Sequence, residues 1–458
     1  MIQMSKDPKT HLAKYAPPPL DLPVYQQVDP RDVSFIGRTN YEAPGESVQF
    51  VFGIKRKDRT RHVYIIGKTG VGKSKLFELL IRQDIAHGHG LCLIDPDGDL
   101  VRVILDVVPE ERVQDIVVID PTDIEWPVSF NPFKGVPPQL RHQAAQGFTE
   151  IMEKQFGNQW SHRIEHVLRL SLLALLDYPE ATLHGLISLL TDEQYRRKVI
   201  IHIKDDLVKR FFEYEFDDWA HKFEADGVTP IVNQITKFLA VPAIRNIFIQ
   251  KENKIDFNDI IARRAVILVN LARTTVGDQN AHVLGSLILY AIRHAGMARA
   301  DNTDNAAAAH KDFYLYLYEF HTMMSGSLMN LFSESRRYGF AVTVAHQYIA
   351  QLDPSVLASV LGNVGTIITF RVSGEDAEKF EGEMTPVFKA KDMINLGTRE
   401  FYIKEMINGE THDPFSADTL AVLPAPYSSR KEQIIDASRT KYATTLARVK
   451  ELYHRPFA

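Results

Sequence analysis

The chain has 458 residues, of which 45% are apolar and 24% are charged, with a formal charge of −5 and one cysteine, Cys92. This is the composition of ordinary globular proteins, so it excludes a disordered tail, a collagen and a coiled coil. The charge excludes a uniformly basic nucleic-acid coat protein but leaves room for a local DNA-binding channel. A single cysteine cannot form an internal disulfide, which favours a reducing compartment. The length predicts about two to three domains.

No stretch of the sequence indicates a targeting signal or a membrane span. Residues 1–15 carry charges throughout, and the most apolar runs are 168–176 and 265–272. Both runs are far shorter than the roughly 18 residues that cross a bilayer. We therefore expect a cytoplasmic protein, with peripheral attachment to the inner membrane as the alternative.

The first part of the chain alternates strand-like and helix-like segments. Residues 1–32 are rich in proline and predict a flexible, extended arm. Short alternating runs within 33–54 predict a strand pair. Continuous apolar runs at 62–66, 91–94 and 115–119 predict buried strands, with helical spacing between them. Strands that alternate with helices predict an α/β fold with a mostly parallel sheet.

The middle of the chain follows a different pattern. Residues 138–250 place apolar residues at helical spacing without a convincing strand, which predicts an all-helical insertion. Strand-like runs then return at 265–271, 313–317, 341–345 and 366–370. We therefore predict five parts: the arm at 1–32, the start of the α/β domain at 33–137, the insertion at 138–250, the rest of the α/β domain at 251–425, and a helical tail at 426–458.

One motif points to a specific ligand. It matches every fixed position of the phosphate-binding loop G-x-x-x-x-G-K-[ST] and lies between a buried strand and a helix. Its residues are Gly67, Lys68, Thr69, Gly70, Val71, Gly72, Lys73 and Ser74. Glycines let successive backbone N–H groups surround a phosphate. We expect ATP as the ligand, with Lys73 at its β- and γ-phosphates and Ser74 on Mg²⁺; a structural glycine turn is the alternative.

ATP hydrolysis also needs an acidic side chain that orients the attacking water. The apolar run 313–318 predicts a buried strand, and Glu319 follows it directly. Glu319 is therefore the candidate for this role. The alternative is an ordinary glutamate that faces solvent at the end of a strand.

At this point the chain resembles the FtsK–HerA superfamily of ATP-driven DNA pumps, and within it the conjugative coupling and type IV secretion ATPases and their soluble relatives. The likeness covers about residues 50–420 and rests on a series of short segments in order: 67–74, 93–100, 129–132, Trp160 with Arg163, 270–271, 284–286, 316–320, 335–339, 345–348, 362–365 and 370–372. The resemblance implies a RecA-like core in a hexameric ring. It further implies ATP between subunits and double-stranded DNA, bound without sequence specificity, in the central channel.

The same resemblance assigns roles to further residues. Glu319 matches the catalytic glutamate, and Gln347 matches a polar sensor of the γ-phosphate. An arginine of the neighbouring subunit should complete the site, because the transition state spreads negative charge that a cation stabilises. The candidates are Arg336 and Arg371, with Arg337 behind them, and a structural salt bridge is the alternative for each. Secretion proteins or relaxase-type proteins are the expected protein partners.

The sequence departs from the family pattern next to the catalytic glutamate. The family has an aspartate where this chain has Tyr318, and a tyrosine hydroxyl brings no negative charge to Mg²⁺. We therefore expect ATP to bind and hydrolysis to be slow, unless another carboxylate such as Asp95 takes the role. A smaller departure is Asp97, which stands where relatives usually have histidine.

These observations favour a ring-forming ATPase that translocates DNA. An ATP-binding scaffold or regulatory subunit with little turnover is the alternative that Tyr318 favours, and a protein-secretion motor has the same core. The basic run at 55–61 either contacts a phosphate backbone or forms a solvated turn.

Overall fold

The computed structural model describes residues 13–42, 49–301, 312–324, 329–425 and 427–454. Its strands are β1 (Val33–Thr39), β2 (Val51–Lys55), β3 (Val63–Ile66), β4 (Gly90–Asp95), β5 (Ile116–Ile119), β6 (Val266–Asn270), β7 (Phe313–Tyr318), β8 (Phe340–His346), β9 (Thr366–Thr369), β10 (Glu400–Lys404), β11 (Met406–Ile407), β12 (Glu410–Thr411) and β13 (Phe415–Thr419).

The helices before β6 are α1 (Arg56–Arg59), α2 (Lys73–Ala86), α3 (Asp99–Leu105), α4 (Arg141–Phe156), α5 (His162–Asp177), α6 (Leu183–Thr191), α7 (Glu193–Ile200), α8 (Asp206–Arg210), α9 (Phe216–Phe223), α10 (Thr229–Leu239), α11 (Pro242–Phe248) and α12 (Phe257–Ala262). Those after β6 are α13 (Arg273–Val276), α14 (Asp278–Asp301), α15 (Asn330–Glu334), α16 (Pro354–Asn363), α17 (Gly374–Met384), α18 (Ala390–Ile394), α19 (Lys431–Tyr442) and α20 (Leu446–His454).

One sheet of eleven strands organises the described residues, in the order β2-β1-β13-β10-β9-β3-β8-β7-β4-β6-β5. The seven strands from β9 to β5 are parallel. The remaining four pair antiparallel at one end of the sheet. The predicted α/β fold with a mostly parallel sheet is confirmed, as is the strand pair within 33–54. The sequence did not reveal β10 and β13, which link that pair to the parallel part.

The parallel strands are apolar throughout because both faces of the sheet are covered. Val63 and Ile65 of β3 join the core on one face, together with Leu76 of α2. Tyr64 and Ile66 point to the other face and join the larger core, to which helices α4, α5 and α14 contribute. Each fully buried aliphatic side chain contributes about 1.5–3 kcal/mol relative to an exposed one. The strands therefore form a rigid platform whose ends can position a site.

Helices fill the chain between β5 and β6. Residues 120–265, all of which are described, contain α4–α12 and none of the strands of the sheet. The helix boundaries are set locally; for example, the Ser161 hydroxyl accepts a hydrogen bond from the Ile164 N–H at the start of α5 (3.3 Å). The division of the chain into the five predicted parts stays a prediction. Within the described ranges, no helix combines the length and apolarity that crossing a bilayer requires.

The proline-rich segment that the sequence assigns to a flexible arm contacts the sheet where it is described. Residues 1–12 lie outside the described residues. Ala16 is buried, and its N–H donates to the Ser416 hydroxyl of β13 (3.0 Å). The Tyr402 hydroxyl of β10 donates to the Lys14 carbonyl (2.8 Å). Residues 13–32 therefore pack on the antiparallel end of the sheet, because small apolar side chains and backbone groups find partners there.

Two arginines of the basic run at 55–61 fit neither of the two expectations for it, whereas Lys57 is exposed. Arg56 and Arg59 are buried, and both pair with the buried carboxylate of Asp84 on α2. Arg59 also donates to the Tyr316 hydroxyl (2.6 Å) and lies over the ring of Tyr314, with its guanidinium carbon 4.1 Å from the ring centre. Two of the cations in this run therefore stabilise the protein interior and are not available to a phosphate backbone.

Candidate nucleotide-binding site

Most of the predicted site residues meet where the parallel strands end. Ile66 of β3 lies opposite His346 of β8 and Thr369 of β9, and Tyr318 of β7 lies opposite Ala345. The segments that follow these strands therefore leave the sheet at the same edge. In open α/β sheets, this carboxyl edge is where ligands bind.

The loop between β3 and α2 has the backbone that phosphate binding requires. Gly70 and Gly72 have φ angles of 78° and 129°, which side chains rarely adopt. A Cβ atom on Gly67 would lie 2.6 Å from the Cβ atom of Phe370, so this position has no room for a side chain. Helix α2 begins at Lys73 and runs for 14 residues. Its N-terminal N–H groups and partial positive charge therefore face the loop.

Lys73 places its ammonium group inside this loop. Its Nζ atom donates to the Gly67 carbonyl (2.5 Å) and the Lys68 carbonyl (3.0 Å), and the residue is 4% exposed. Burial lowers the pKa of Lys73, while the negative charge of Glu319 opposes this change. The ammonium group is thus held between the loop and the glutamate, where the outer phosphates of a nucleotide would lie.

Glu319 follows β7 in a strained backbone conformation. Its φ angle is +48°, in the left-handed region that non-glycine residues seldom occupy, and the residue is 5% exposed. Its Oε1 atom accepts a hydrogen bond from Gln347 Nε2 (3.2 Å). Its Oε2 atom has no hydrogen-bond partner among the described residues, although His321 Nδ1 lies 3.7 Å away. Burial raises the pKa of Glu319, and Lys73 and the Gln347 hydrogen bond counteract that rise.

Gln347 connects the glutamate to the loop. Its Oε1 atom accepts a hydrogen bond from the Thr69 hydroxyl (3.1 Å), and its backbone N–H donates to Gln351 Oε1 (2.9 Å). A change in the loop would therefore reach Glu319 through one side-chain amide. The expected role of Gln347 as a sensor of the γ-phosphate stays a prediction.

The side chain of Ser74, where a magnesium ligand is expected, contacts Tyr318. The two hydroxyl oxygens are 2.6 Å apart, and the Tyr318 ring packs edge-on against Phe77 (5.4 Å between ring centres). Burial raises the pKa of Tyr318 to about 12, so its hydroxyl is neutral at physiological pH. Mg²⁺ bound with a nucleotide usually takes one or two carboxylates and the phosphates, and keeps several waters. Ser74 fits such an ion, whereas the carboxylate expected beside it is replaced by a neutral phenol.

Asp95 is not free to replace that missing carboxylate. Its Oδ2 atom accepts from the Leu100 and Val101 N–H groups (2.8 and 3.3 Å), and its Oδ1 atom accepts from the Asp97 N–H (3.2 Å). The side chain thus holds the turn into α3. Elsewhere in the described ranges, no three His, Cys, Asp or Glu side chains gather in a metal-binding arrangement.

One cation near the site escaped the sequence reasoning. Arg273 donates from Nε and Nη2 to both oxygens of Asp97 (3.0 and 2.9 Å), and its charge helps to lower the pKa of Glu319. Its position in the sequence, three residues after the buried strand β6, could have indicated that it lies near the site. It also gives a partner to Asp97, the aspartate that departs from the family pattern.

The structure separates the candidate arginines. The carbonyl of Arg371, two residues after β9, accepts the Lys68 N–H (2.9 Å), so Arg371 lies beside the phosphate loop of its own chain. Arg336 and Arg337 precede β8 and are exposed, at the opposite edge of the sheet. The side chains of Glu319 and Gln347 and the backbone of Arg371 thus come together at the loop, and Arg336 does not.

Solved structures of known proteins are similar to this chain in fold. The plasmid coupling protein TrwB, as the unbound TrwBdeltaN70 form, is 13% identical with a TM-score of 0.61, over 83% of this chain and 88% of that one. TrwB in complex with ADP and Mg²⁺ is 12% identical with a TM-score of 0.60, over 83% and 90%. VirB4 of Thermoanaerobacter pseudethanolicus is 13% identical with a TM-score of 0.54, over 79% and 89%. No curated protein matches the chain.

A family model settles the resemblance seen in the sequence. The model of the type IV secretion-system coupling protein DNA-binding domain matches residues 51–384. That range covers most of the chain, and it includes the phosphate loop, Glu319 and Gln347. The expected kinship with coupling and type IV secretion ATPases of the FtsK–HerA type is confirmed, and the chain belongs to the type IV secretion-system coupling protein DNA-binding domain family.

Proposed function

We propose that this protein is an ATP hydrolase that drives DNA through a ring of its own copies during conjugative transfer or type IV secretion. One observation carries the proposal: Lys73, Glu319 and Gln347 converge on a complete phosphate loop at one edge of the sheet. The family supports DNA as the substrate. A hexameric ring, with protein partners of the secretion or relaxase type, belongs to the same proposal.

The site residues divide the work of hydrolysis. The loop N–H groups and the start of α2 bind the α- and β-phosphates, and Lys73 leaves its two carbonyl partners to neutralise the outer phosphates. Glu319 orients a water and accepts its proton, and burial raises its pKa toward the range of a useful general base. Gln347 holds Glu319 at 3.2 Å and transmits the state of the loop. Mg²⁺ held near Ser74 would supply charge neutralisation.

The remaining cation comes from a neighbouring copy in this proposal. Arg336 is exposed and lies at the edge opposite its own phosphate loop, so only the loop of another copy is open to it. We assign Arg371 to its own chain, because its backbone carbonyl accepts the Lys68 N–H of its own phosphate loop. In this proposal Arg336 acts on the site of a neighbouring chain and Arg371 on the site of its own chain, and this difference can be tested.

Mixed assemblies test the assignment. Chains with Lys73→Ala are mixed with chains carrying Arg336→Ala, each inactive alone. Sites that combine the intact loop of one chain with Arg336 of the other should regain ATPase activity. Mixing Lys73→Ala with Arg371→Ala should regain none, because every loop then belongs to a defective chain. Recovery in the second mixture would overturn the assignment.

The second candidate function is an ATP-binding scaffold with little turnover, which the neutral Tyr318–Ser74 contact favours. Turnover by the purified chain with Mg²⁺, measured with and without double-stranded DNA, separates the two. Hydrolysis that DNA stimulates and Lys73→Ala abolishes supports the motor. Tight ATP binding without turnover supports the scaffold. Stimulation by a secreted protein alone, and not by DNA, would indicate the protein-secretion motor.

A further inference from the structure

The phosphate loop is supported from outside by Arg399, in the turn between α18 and β10. The Arg399 N–H donates to the Val71 carbonyl of the loop (2.8 Å). A Cβ atom built on Gly72 would lie 3.6 Å from the Arg399 Cα atom, so the two backbones are in contact. The Arg399 carbonyl in turn accepts the Thr419 N–H (2.8 Å) and the Thr419 hydroxyl (3.2 Å). The position of this residue beside the loop is therefore fixed on both sides.

The identity of this residue is not explained by its backbone role. Its φ angle is +71°, in the left-handed region, where glycine is unstrained and arginine is not. A glycine could make the same three backbone hydrogen bonds at lower cost, because none of them uses the side chain. Strained non-glycine residues that persist are concentrated at functional sites.

The side chain of Arg399 has the properties of a ligand-binding group. It is exposed, and its guanidinium has no hydrogen-bond or ion-pair partner among the described residues. It starts from the Val71–Gly72 side of the loop, the part whose N–H groups surround the α- and β-phosphates. Guanidinium groups bind phosphate through paired, charge-assisted hydrogen bonds.

We propose that Arg399 binds the α- or β-phosphate of the nucleotide in its own chain, which rests on the proposed nucleotide site. The strained backbone then has a function: it brings a cation to the loop from a segment far away in the sequence. Because ATP and ADP share these two phosphates, Arg399 contributes equally to the affinity for both. Lys73 reaches the β- and γ-phosphates, and ADP lacks the γ-phosphate, so the contribution of Lys73 to the affinity differs between ATP and ADP.

The test is titration of the full chain with fluorescent N-methylanthraniloyl forms of ATP and ADP. Arg399→Ala and Arg399→Gly should weaken both nucleotides about tenfold, and Arg399→Lys should recover part of the loss. Arg399→Gly should also raise the melting temperature, since it relieves the strain. Gln26→Gly is the matched control, because Gln26 is exposed with a φ angle of 74° at the far end of the sheet; it should raise stability and leave affinity unchanged.

The combination of higher stability and lower affinity in Arg399→Gly is the decisive result, because a purely structural residue would not produce it. Wild-type affinity in that variant would overturn the proposal. Loss of ATP affinity without loss of ADP affinity would also overturn it. If the wild type binds no nucleotide and behaves like Lys73→Ala, the proposed nucleotide site fails first, and the two failures are distinguishable.

Discussion

The contact between Ser74 and Tyr318 makes a prediction about metal use. A magnesium ion held by Ser74 would take lone pairs of its oxygen, so the Ser74 hydroxyl would then have to act as a hydrogen-bond donor. At 2.6 Å, the neutral Tyr318 oxygen can accept it. Tyr318 thus orients the serine as an aspartate would, but it supplies no charge, since burial raises its pKa to about 12. The two contributions can be separated by two substitutions.

Tyr318→Phe removes the orienting hydrogen bond and keeps the ring that packs on Phe77. A neutral hydrogen bond contributes about 0.5–1.5 kcal/mol net, and 1.4 kcal/mol is about a factor of ten. The Mg²⁺-dependent part of the ATP affinity should therefore fall about two- to tenfold. Tyr318→Asp restores the charge. A hydrogen bond to a charged group contributes about 1 kcal/mol more than a neutral one, so turnover should rise about fivefold.

Calorimetric titration of ATP at several Mg²⁺ concentrations, together with steady-state turnover, measures both effects. Tyr25→Phe is the control, because Tyr25 is exposed at the antiparallel end of the sheet. An unchanged Mg²⁺ dependence in Tyr318→Phe, or an unchanged rate in a folded Tyr318→Asp, would refute this reasoning. Melting temperatures show whether each variant is folded.

Three further outcomes follow from buried charges and histidines. Glu319→Gln should keep ATP affinity and lower turnover about 10²- to 10⁴-fold, because it removes only the proton acceptor; equal losses in both would contradict its role. Asp84→Asn leaves Arg56 and Arg59 buried without an anion, so urea unfolding should show a loss of about 3–5 kcal/mol. His62 is buried, and its pKa is lowered to about 4 by burial. The unfolded chain therefore takes this proton first, and His62 alone should lower the free energy of unfolding by about 1.4 kcal/mol for each unit by which the pH falls from roughly 6.5 to 4. Other buried histidines, such as His282 and His294, have pKa values lowered in the same way, so His62→Gln should reduce the slope by the share of one histidine, which urea unfolding at several pH values measures.

The features that could be predicted from the sequence are those that neighbouring residues of the chain define. The phosphate loop is a contiguous motif with a fixed mechanism, and the buried strands are runs of apolar residues that need no partner to be recognised. Glu319 could be found because it follows such a run directly. Strands β10 and β13 escaped because each is short and contains charged or hydroxyl residues, such as Glu400 and Asp418. Strand β13 pairs with the N-terminal strand β1, hundreds of residues away, and β10 lies between β13 and β9.

Charged residues were misjudged for the same reason. A basic run looks solvated in sequence, but Asp84 lies 25 residues beyond Arg59 and compensates its charge in the interior. Arg273 and Arg399 belong to no motif, and each becomes notable only through its partner or the strain in its backbone. Sequence patterns record which residues are apolar, whereas the pairing of a charge is decided by tertiary contacts.

The charges around the loop explain why nucleotide binding and metal-assisted hydrolysis can respond differently to sequence change. Lys73 and the start of α2 favour a polyphosphate whether or not an aspartate stands at the end of β7. A magnesium ion at this site would depend on the charge at that position, and Tyr318 lacks that charge while it keeps the hydrogen bond to Ser74. The nearby Asp97 cannot compensate, because Arg273 already neutralises it. Under the proposed function, a chain with this arrangement would keep the groups that bind the phosphates of ATP while its dependence on Mg²⁺ shifts, and the rate of hydrolysis would be the property that a single residue at position 318 tunes.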